Sequence, residues 1–244
     1  MKKINLLSLV FVVLCNFYVQ KANSQAAILA LLFGDQVASE EFNLSLELGW
    51  NFSEISNFNE LDRKNATNFG LGCNFKLSEQ FYLSPSVFFL SDRKFNFSSF
   101  APTTDNDIIN GQFENTSGTA NLGYIDVPVL FWYQRGKIRF GVGPQVSFLT
   151  KSNLVFNGPD GKFTDDIQND TNSLDYGVMA ALSYELGKAR KGRGLFIQAR
   201  YYHGFKDVYK NNISPASNKA SYFAVHFSLP FISDALADKN LKAK

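Results

Sequence analysis

The chain has 244 residues, of which 24 are basic and 22 are acidic. A charge this close to balance excludes a strongly basic surface of the kind that binds nucleic acid. The length fits one barrel-like domain or at most two small domains, and the two histidines leave few residues for acid–base catalysis.

Residues 1–24 have the pattern of a secretory signal peptide. Lys2 and Lys3 are followed by an apolar run over 4–14 and by small residues at 22–24, where cleavage is expected. Removing this segment takes three of the 24 lysines and arginines and no acid, which leaves 21 basic against 22 acidic residues. The mature protein is therefore predicted to be exported and nearly neutral.

Residues 25–41 form the next segment. Apolar residues fill most of 28–33, and Asp35, Glu40 and Glu41 follow. We expect a short helix at the periplasmic interface or partly inside the barrel mouth. An extended tether without a role of its own is an equal alternative.

The region 42–229 contains eight strand-like runs joined by connections that alternate between long and short. The runs are 42–51, 69–77, 81–91, 122–133, 137–149, 174–187, 194–203 and 220–229. The connections between them have 17, 3, 30, 3, 24, 6 and 16 residues. Long connections at one end and short turns at the other are typical of an outer-membrane barrel. The sequence therefore predicts an all-β, eight-stranded antiparallel up-and-down transmembrane β-barrel with a short N-terminal helical segment.

Residues within these runs alternate between an apolar and a polar face. In the first run the two sets are Leu44, Leu46, Leu48 and Trp50 against Asn43, Ser45, Glu47 and Gly49. The polar set holds many glycines and few charges, which suits a crowded lumen better than a surface in water. A soluble lipocalin-like cup, with the apolar face inside, is the less favoured alternative.

The charged residues on the polar face are balanced in sign. We predict a lumen charge network of Glu47, Lys76, Asp126, Arg139, Glu185 and Arg200, with His226 beside it. Buried charges of equal number favour a paired, closed interior over a conducting pathway. Lys137 and Asp175 share this face but are expected at strand ends within reach of water. Pro85, Pro128 and Pro144 fall inside strands, so we expect bulges or bends there.

Four segments carry a recognisable pattern: residues 27–35, the strand end at 48–51, the stretch 124–130 and the stretch 140–144. These segments resemble the PorT-like family of outer-membrane β-barrel proteins. The resemblance covers most of the mature chain and implies an eight-stranded Gram-negative outer-membrane barrel. The family namesake assists a protein secretion and gliding apparatus, so the resemblance also implies an accessory role of that kind.

No arrangement for catalysis emerges from the sequence. His226 shares its face with Ser45, Ser183 and Ser228, the residue types of a membrane hydrolase, but a structural histidine is preferred. The pattern also indicates no metal site and no cofactor. The protein is predicted not to be an enzyme.

The expected function is binding or scaffolding in the bacterial outer membrane, with both ends of the chain periplasmic, including a tail at 230–244. The surface for this role is either the long loops 52–68, 92–121, 150–173 and 204–219 or the N-terminal segment. Partners are outer-membrane lipid and, as alternatives, secretion-apparatus or periplasmic proteins. A narrow solute channel is a further alternative. Aromatic residues of the loops are either exposed anchors or a packed lid: Phe95, Phe97, Phe100, Phe156 and Phe163.

Overall fold

The computed structural model describes residues 34–57, 62–100, 102, 104–114, 116–158, 161–210 and 216–242. The predicted signal peptide, 1–24, and the first part of the segment 25–41 lie outside these ranges. A short helical turn occupies residues 34–37, within the segment where the sequence predicted a helix.

The described chain is built from long antiparallel strands with two short helices. The strands are β1 (Phe42–Ile55), β2 (Asp62–Lys76), β3 (Phe81–Phe100), β4 (Thr116–Arg135), β5 (Ile138–Gly158), β6 (Gly161–Asp166), β7 (Leu174–Glu185), β8 (Phe196–Asp207) and β9 (Lys219–Pro230). The helices are α1 (Asp107–Gln112) and α2 (Asp234–Lys242), with one 3-10 turn at Gln168–Asp170.

Eight of the strands close into a ring. Each of β1, β2, β3, β4, β5, β7, β8 and β9 pairs with its two neighbours, and the pairing of β1 with β9 joins the first strand to the last. β6 pairs with β5 alone and stands outside the ring. The predicted eight-stranded antiparallel barrel is therefore confirmed. We call the end with the turns after β2, β4 and β7 the turn end, and the opposite end the loop end.

The barrel wall has its apolar side chains outside and its polar side chains inside. Leu48 and Trp50 on β1 are 37% and 45% exposed, whereas Ser45 and Glu47 on the same strand are buried. The same holds around the ring, where exposed residues include Phe131, Phe140, Val142, Tyr176, Leu182, Tyr201 and Phe223. An apolar outer wall of this extent suits lipid and not water. No helix in the described ranges is long and apolar enough to cross a membrane.

The strands extend further towards the loop end than the sequence predicted. β3 continues to Phe100 and β4 begins at Thr116, so half of the predicted loop 92–121 is wall. Likewise β5 continues to Gly158, and the hairpin strand β6 lies within the predicted loop 150–173. These segments extend beyond the apolar band of the wall, so they alternate weakly in hydrophobicity. For this reason the predicted boundaries were wrong.

The ladder irregularities lie elsewhere than at the three prolines. Pro85, Pro128 and Pro144 are paired in register with Val129, Gln145 and Val178, so the predicted bulges at the prolines were wrong. The register shifts instead between Phe88 and Ser91 in the ladder of β3 with β4, and at Gly123/Tyr124 in that of β4 with β5.

The bulge after Phe88 reverses which residues of β3 face the lumen. Below it Ser84, Ser86 and Phe88 are buried, and above it Ser91 and Arg93 are buried. The extra residue moves the inward set from even to odd numbers, because side chains alternate with a period of two. In β5 the shift beside Leu149 likewise turns Ser152, Leu154 and Phe156 inward. These bulges decide what fills the loop end of the lumen.

Helix α2 folds back against the turn end. Ala237 is buried, Asn240 donates a hydrogen bond of 3.0 Å to the carbonyl oxygen of Gly192, and Arg193 pairs with Asp234. Lys239 lies 2.5 Å from Glu40, ahead of β1, and lowers the pKa of that carboxyl through a hydrogen bond and its charge. The two ends of the described chain therefore meet at the turn end.

The close approach of β7 and β8 gives a test of the wall packing. A Cβ added at Gly177 would collide with the backbone carbonyl of His203, whereas one added at Gly111 in α1 meets nothing within 4 Å. We expect Gly177→Ala to lower the free energy of unfolding by about 1–3 kcal/mol, as overpacking does. Gly111→Ala is the matched control and should leave stability unchanged or slightly raised. Urea unfolding in detergent micelles measures both, and equal stability of the two variants would contradict this packing.

Candidate functional site

The lumen nearest the turn end holds a buried ion pair between β1 and β8. Arg200 Nη2 lies 3.0 Å from Glu47 Oε2, and the other oxygen of Glu47 accepts hydrogen bonds of 2.7 Å from Ser45 and Ser228. Arg200 also donates to Gln198, through Nε at 2.9 Å. A carboxylate with three donors has its charge compensated locally, as a low-dielectric site requires. We call Glu47 and Arg200 the lower ion pair.

Further towards the loop end, Arg93 of β3 binds two carboxylates from two other wall strands, β4 and β7. Its Nη1 lies 2.8 Å from Asp175 Oδ2, and its Nη2 lies 3.1 Å from Asp126 Oδ1. Ser147 accepts a further hydrogen bond of 2.8 Å from Arg93, and Ser91 donates to Asp126 at 2.5 Å. We call Arg93, Asp126 and Asp175 the upper ion cluster.

Tyrosine rings surround the guanidinium of Arg93. Its Cζ is 4.1 Å from the ring centroid of Tyr124 and just over 5 Å from those of Tyr202 and Tyr222. Tyr222 also donates a hydrogen bond of 2.9 Å to Gln145. Aromatic faces favour a desolvated cation, so they add to the stabilisation from the two carboxylates. Arg93 consequently crosses the lumen as a fixed strut.

An apolar plug fills the lumen between the upper ion cluster and the loop end. Phe95, Phe97 and Phe156 are almost fully buried, and the rings of Phe97 and Phe156 contact edge to face at 5.3 Å. The plug consists of Ile55, Phe95, Phe97, Ala120, Leu122, Tyr124, Leu154, Phe156, Ile167, Val208, Tyr209 and Ala220. The interpretation of these aromatics as exposed anchors was wrong for Phe95, Phe97 and Phe156. They form the packed lid that the sequence left as the alternative.

At the turn end a polar cavity of about 140 Å³ reaches up to the lower ion pair. Lys76, Arg139 and Glu185 line it. Lys76 pairs at 2.7 Å with the exposed Glu79, and Arg139 donates to Gln134 at 2.7 Å while it lies 4.0 Å from the ring centroid of Phe196. These predicted lumen charges therefore lie at the mouth.

The predicted lumen charges thus separate into groups instead of forming one network. Glu47 and Arg200 meet each other, while Asp126 meets Arg93, which the sequence had assigned to a loop. Asp175 was expected within reach of water, but it is 1% exposed. That prediction was wrong because Arg93 of β3 binds Asp175. The uninterrupted apolar run from Val87 to Leu90 breaks the alternation, and it is the signal that could have revealed the bulge and therefore Arg93.

His226 has no catalytic neighbours in the described lumen. Its ring contacts Phe88 with 5.1 Å between centroids, and neither ring nitrogen has a hydrogen-bond partner. Ser45 and Ser228 both donate to Glu47 instead of to this histidine. A nucleophile requires a base within hydrogen-bond reach, so this geometry does not support hydrolysis. In the described ranges no three His, Cys, Asp or Glu residues are grouped so as to hold a metal ion.

Comparison with known proteins identifies one family. A family model described as "Outer membrane protein beta-barrel domain" matches residues 22–210. No curated protein matches the chain in sequence.

Solved structures similar to this chain include the crystal structure of Ail, the attachment invasion locus protein of Yersinia pestis. It has 11% identity and a TM-score of 0.39, with 79% of this chain and 100% of that chain covered. Neisserial surface protein A has 10% identity and a TM-score of 0.41, with 78% and 99% covered. The outer membrane protein AlkL has 13% identity and a TM-score of 0.37, with 81% and 95% covered. These identities and TM-scores are low, so the assignment to the family depends on the family model that matches residues 22–210.

The upper ion cluster predicts a large and selective stability effect. Arg93→Met leaves Asp126 and Asp175 buried without a counter-charge, which should cost about 3–5 kcal/mol. Lys94→Met is the matched control, since Lys94 pairs with Asp92 on the partly exposed outer side and should cost less than about 1 kcal/mol. Urea unfolding followed by heat-modifiable gel mobility measures both variants.

A triple variant separates the loss of charge balance from the loss of packing. Adding Asp126→Asn and Asp175→Asn to Arg93→Met removes every charge of the cluster. We expect this protein to recover more than half of the lost stability, because no buried carboxylate is then unpaired. A triple variant less stable than the single one would contradict the charge explanation.

Proposed function

Since this chain belongs to the family of outer membrane protein β-barrel domains, we propose that it is a closed scaffold that binds partners at its loop end and does not conduct solutes. One observation carries the proposal. The lumen is closed in succession by the lower ion pair, the upper ion cluster and the apolar plug. An eight-stranded barrel leaves an interior just wide enough for side chains to fill, and here they fill it.

The charges of the lumen support a structural role more than a transport role. The buried lumen carboxylates Glu47, Asp126 and Asp175 each have an arginine partner, and Glu47 and Asp126 also accept hydrogen bonds from hydroxyl groups. A conduction pathway instead presents charges or dipoles that an ion can bind and leave. Here the side chains bind one another, and the plug above them consists mainly of apolar side chains.

We also propose that the turn end faces the periplasm and the loop end faces outward. The turns after β2 and β4 are short, and α2 and the segment before β1 lie at the same end. Outer-membrane barrels have short periplasmic turns and longer outside loops. The outer wall contacts membrane lipid, so the loop end is the exposed working surface.

The closed lumen predicts an electrically silent protein. The purified barrel in planar bilayers should give no stable ohmic current. The double variant Glu47→Ala/Arg200→Ala should also be silent, because the apolar plug is intact. A stable current in the natural protein that this double variant alters would favour the solute-channel alternative. A porin recorded in the same bilayers is the positive control.

The loop end predicts a segment that can be exchanged without unfolding the barrel. Residues 101–115 connect β3 to β4 in the chain and can be replaced by a short Gly-Ser turn. We expect the variant to keep its heat-modifiable gel mobility and to lose partners that cross-link to the natural protein on intact cells. Replacement of the turn at 77–80 is the matched control.

The cross-linked partners distinguish the proposed role from its alternative. An unchanged partner set after exchange of 101–115 would contradict the role of this segment in binding. Secretion components recovered through the turn end would favour the accessory role that the PorT-like resemblance implies.

A further inference from the structure

The hairpin of β5 and β6 presents an open sheet edge at the loop end. β6 (Gly161–Asp166) pairs with β5, and no other strand in the described ranges pairs with its second side. Every other strand of the barrel has two neighbours along the wall. An open edge carries a row of backbone donors and acceptors that can bind another extended chain.

The register identifies which backbone groups face the open side. The amide of Ile167 donates to the carbonyl oxygen of Ser152 at 3.1 Å, so the odd-numbered residues of β6 form the hydrogen-bonded pairs with β5. In an antiparallel ladder the intervening residues direct their N–H and C=O groups away from the partner strand. These residues are Lys162, Thr164 and Asp166.

The side chains of the same three residues are exposed. Phe163 and Asp165 between them turn towards the barrel, where Asp165 is buried. The exposed side chains along the edge therefore carry, in order, the positive charge of Lys162, the hydroxyl of Thr164 and the negative charge of Asp166. Asp166 also accepts the N–H of Gln168 at 3.0 Å through one carboxylate oxygen, which leaves its second oxygen directed elsewhere.

We propose that this edge binds an extended segment of a partner protein, which adds an antiparallel strand to β6. The segment carries an acidic residue opposite Lys162, a small or β-branched residue opposite Thr164 and a basic residue opposite Asp166. Backbone hydrogen bonds supply the attachment, and the two charge pairs fix direction and register. The inference deepens the proposed function and rests on it, since it names a partner class for the loop end.

A second copy of the chain in the same membrane fits this edge poorly. In an antiparallel pair of two β6 strands, the two strands run in opposite directions. Since β6 is fixed to the wall strand β5, the two barrels would also point in opposite directions. Two barrels inserted in one membrane point the same way, so they exclude that pairing. Parallel pairing in register would place Lys162 beside Lys162 and Asp166 beside Asp166, which is repulsive.

The test uses the full-length barrel in nanodiscs and two immobilised synthetic peptides. The first copies residues 161–166 between terminal glycines, and it places an acid opposite Lys162 and a base opposite Asp166 when it pairs antiparallel. The second has its lysine and terminal aspartate exchanged. We expect the exchanged peptide to bind about tenfold more weakly, because both cross-strand charge pairs become repulsive. A barrel carrying Lys162→Asp and Asp166→Lys should reverse this preference.

A backbone variant completes the test. Thr164→Pro removes the outward N–H and is tolerated at an edge, so it should weaken binding of the first peptide at least about tenfold. Thr164→Val keeps the N–H and should bind as the natural protein does. Absence of binding to either peptide, equal binding by Thr164→Pro, or preference of the natural barrel for the exchanged peptide would overturn the proposal. Barrel dimers abolished by Thr164→Pro would assign the edge to a second copy and also overturn it. None of these results depends on the conductance experiment, which tests the closed lumen separately.

Discussion

The closed interior depends on Arg93, which binds Asp126 and Asp175 across the lumen. A guanidinium in this position requires two carboxylates and aromatic faces because it has lost its water. Those carboxylates lie on β4 and β7, so one side chain joins three parts of the wall. The plug above is connected to Arg93 through β3, which contributes Phe95 and Phe97 to it.

The orientation of Arg93 depends in turn on the backbone. One extra residue after Phe88 moves the inward set of β3 from even to odd numbers. Without that bulge, Arg93, Phe95 and Phe97 would face outward, and Asp92 and Lys94 would enter the lumen. The bulge thus directs Arg93 and the phenylalanines of the plug into the lumen and leaves the polar face of the same segment outside. In the membrane band the barrel has its apolar side chains outside and its polar side chains inside. At its loop end the arrangement is the ordinary one, with an apolar core inside.

This division explains where function can reside. The lumen has its charges bound to one another, so we place the proposed recognition on the surfaces beyond the membrane band. At the loop end these are α1 with its flanking residues, and the hairpin of β5 and β6 with its open edge. At the turn end a polar cavity reaches up to the lower ion pair, and Glu40 and Asn240 of α2 are among the residues that line it. In the proposed function the wall positions both surfaces and does not itself bind a partner.

Much of the architecture could be predicted from sequence because the apolar band imposes a strict alternation. Leu44 to Trp50 and their partners set both the strand positions and the face of Glu47, and Arg200 followed from the same rule. Where strands leave the band, the rule loses its physical basis, and the extents of β3, β4 and β5 were missed there. Arg93 was missed for a second reason. A bulge changes the facing of all later residues, and its only sequence trace is the apolar run from Val87 to Leu90. The bulges were predicted at the prolines, but they lie at other positions of the ladders.

The most direct test of the closed lumen is a solid-state NMR distance measurement on the protein in lipid bilayers. Dipolar recoupling between ¹⁵N of the Arg93 guanidinium and ¹³C of aspartate carboxyls reports the contacts of the upper ion cluster. Nitrogen–oxygen separations of 2.8 and 3.1 Å predict strong transfer to both Asp175 and Asp126. The signals should disappear when both aspartates are replaced by asparagine labelled only in the backbone. Transfer to neither carboxyl, with the Arg93 guanidinium exchanging freely with water, would contradict the closed lumen.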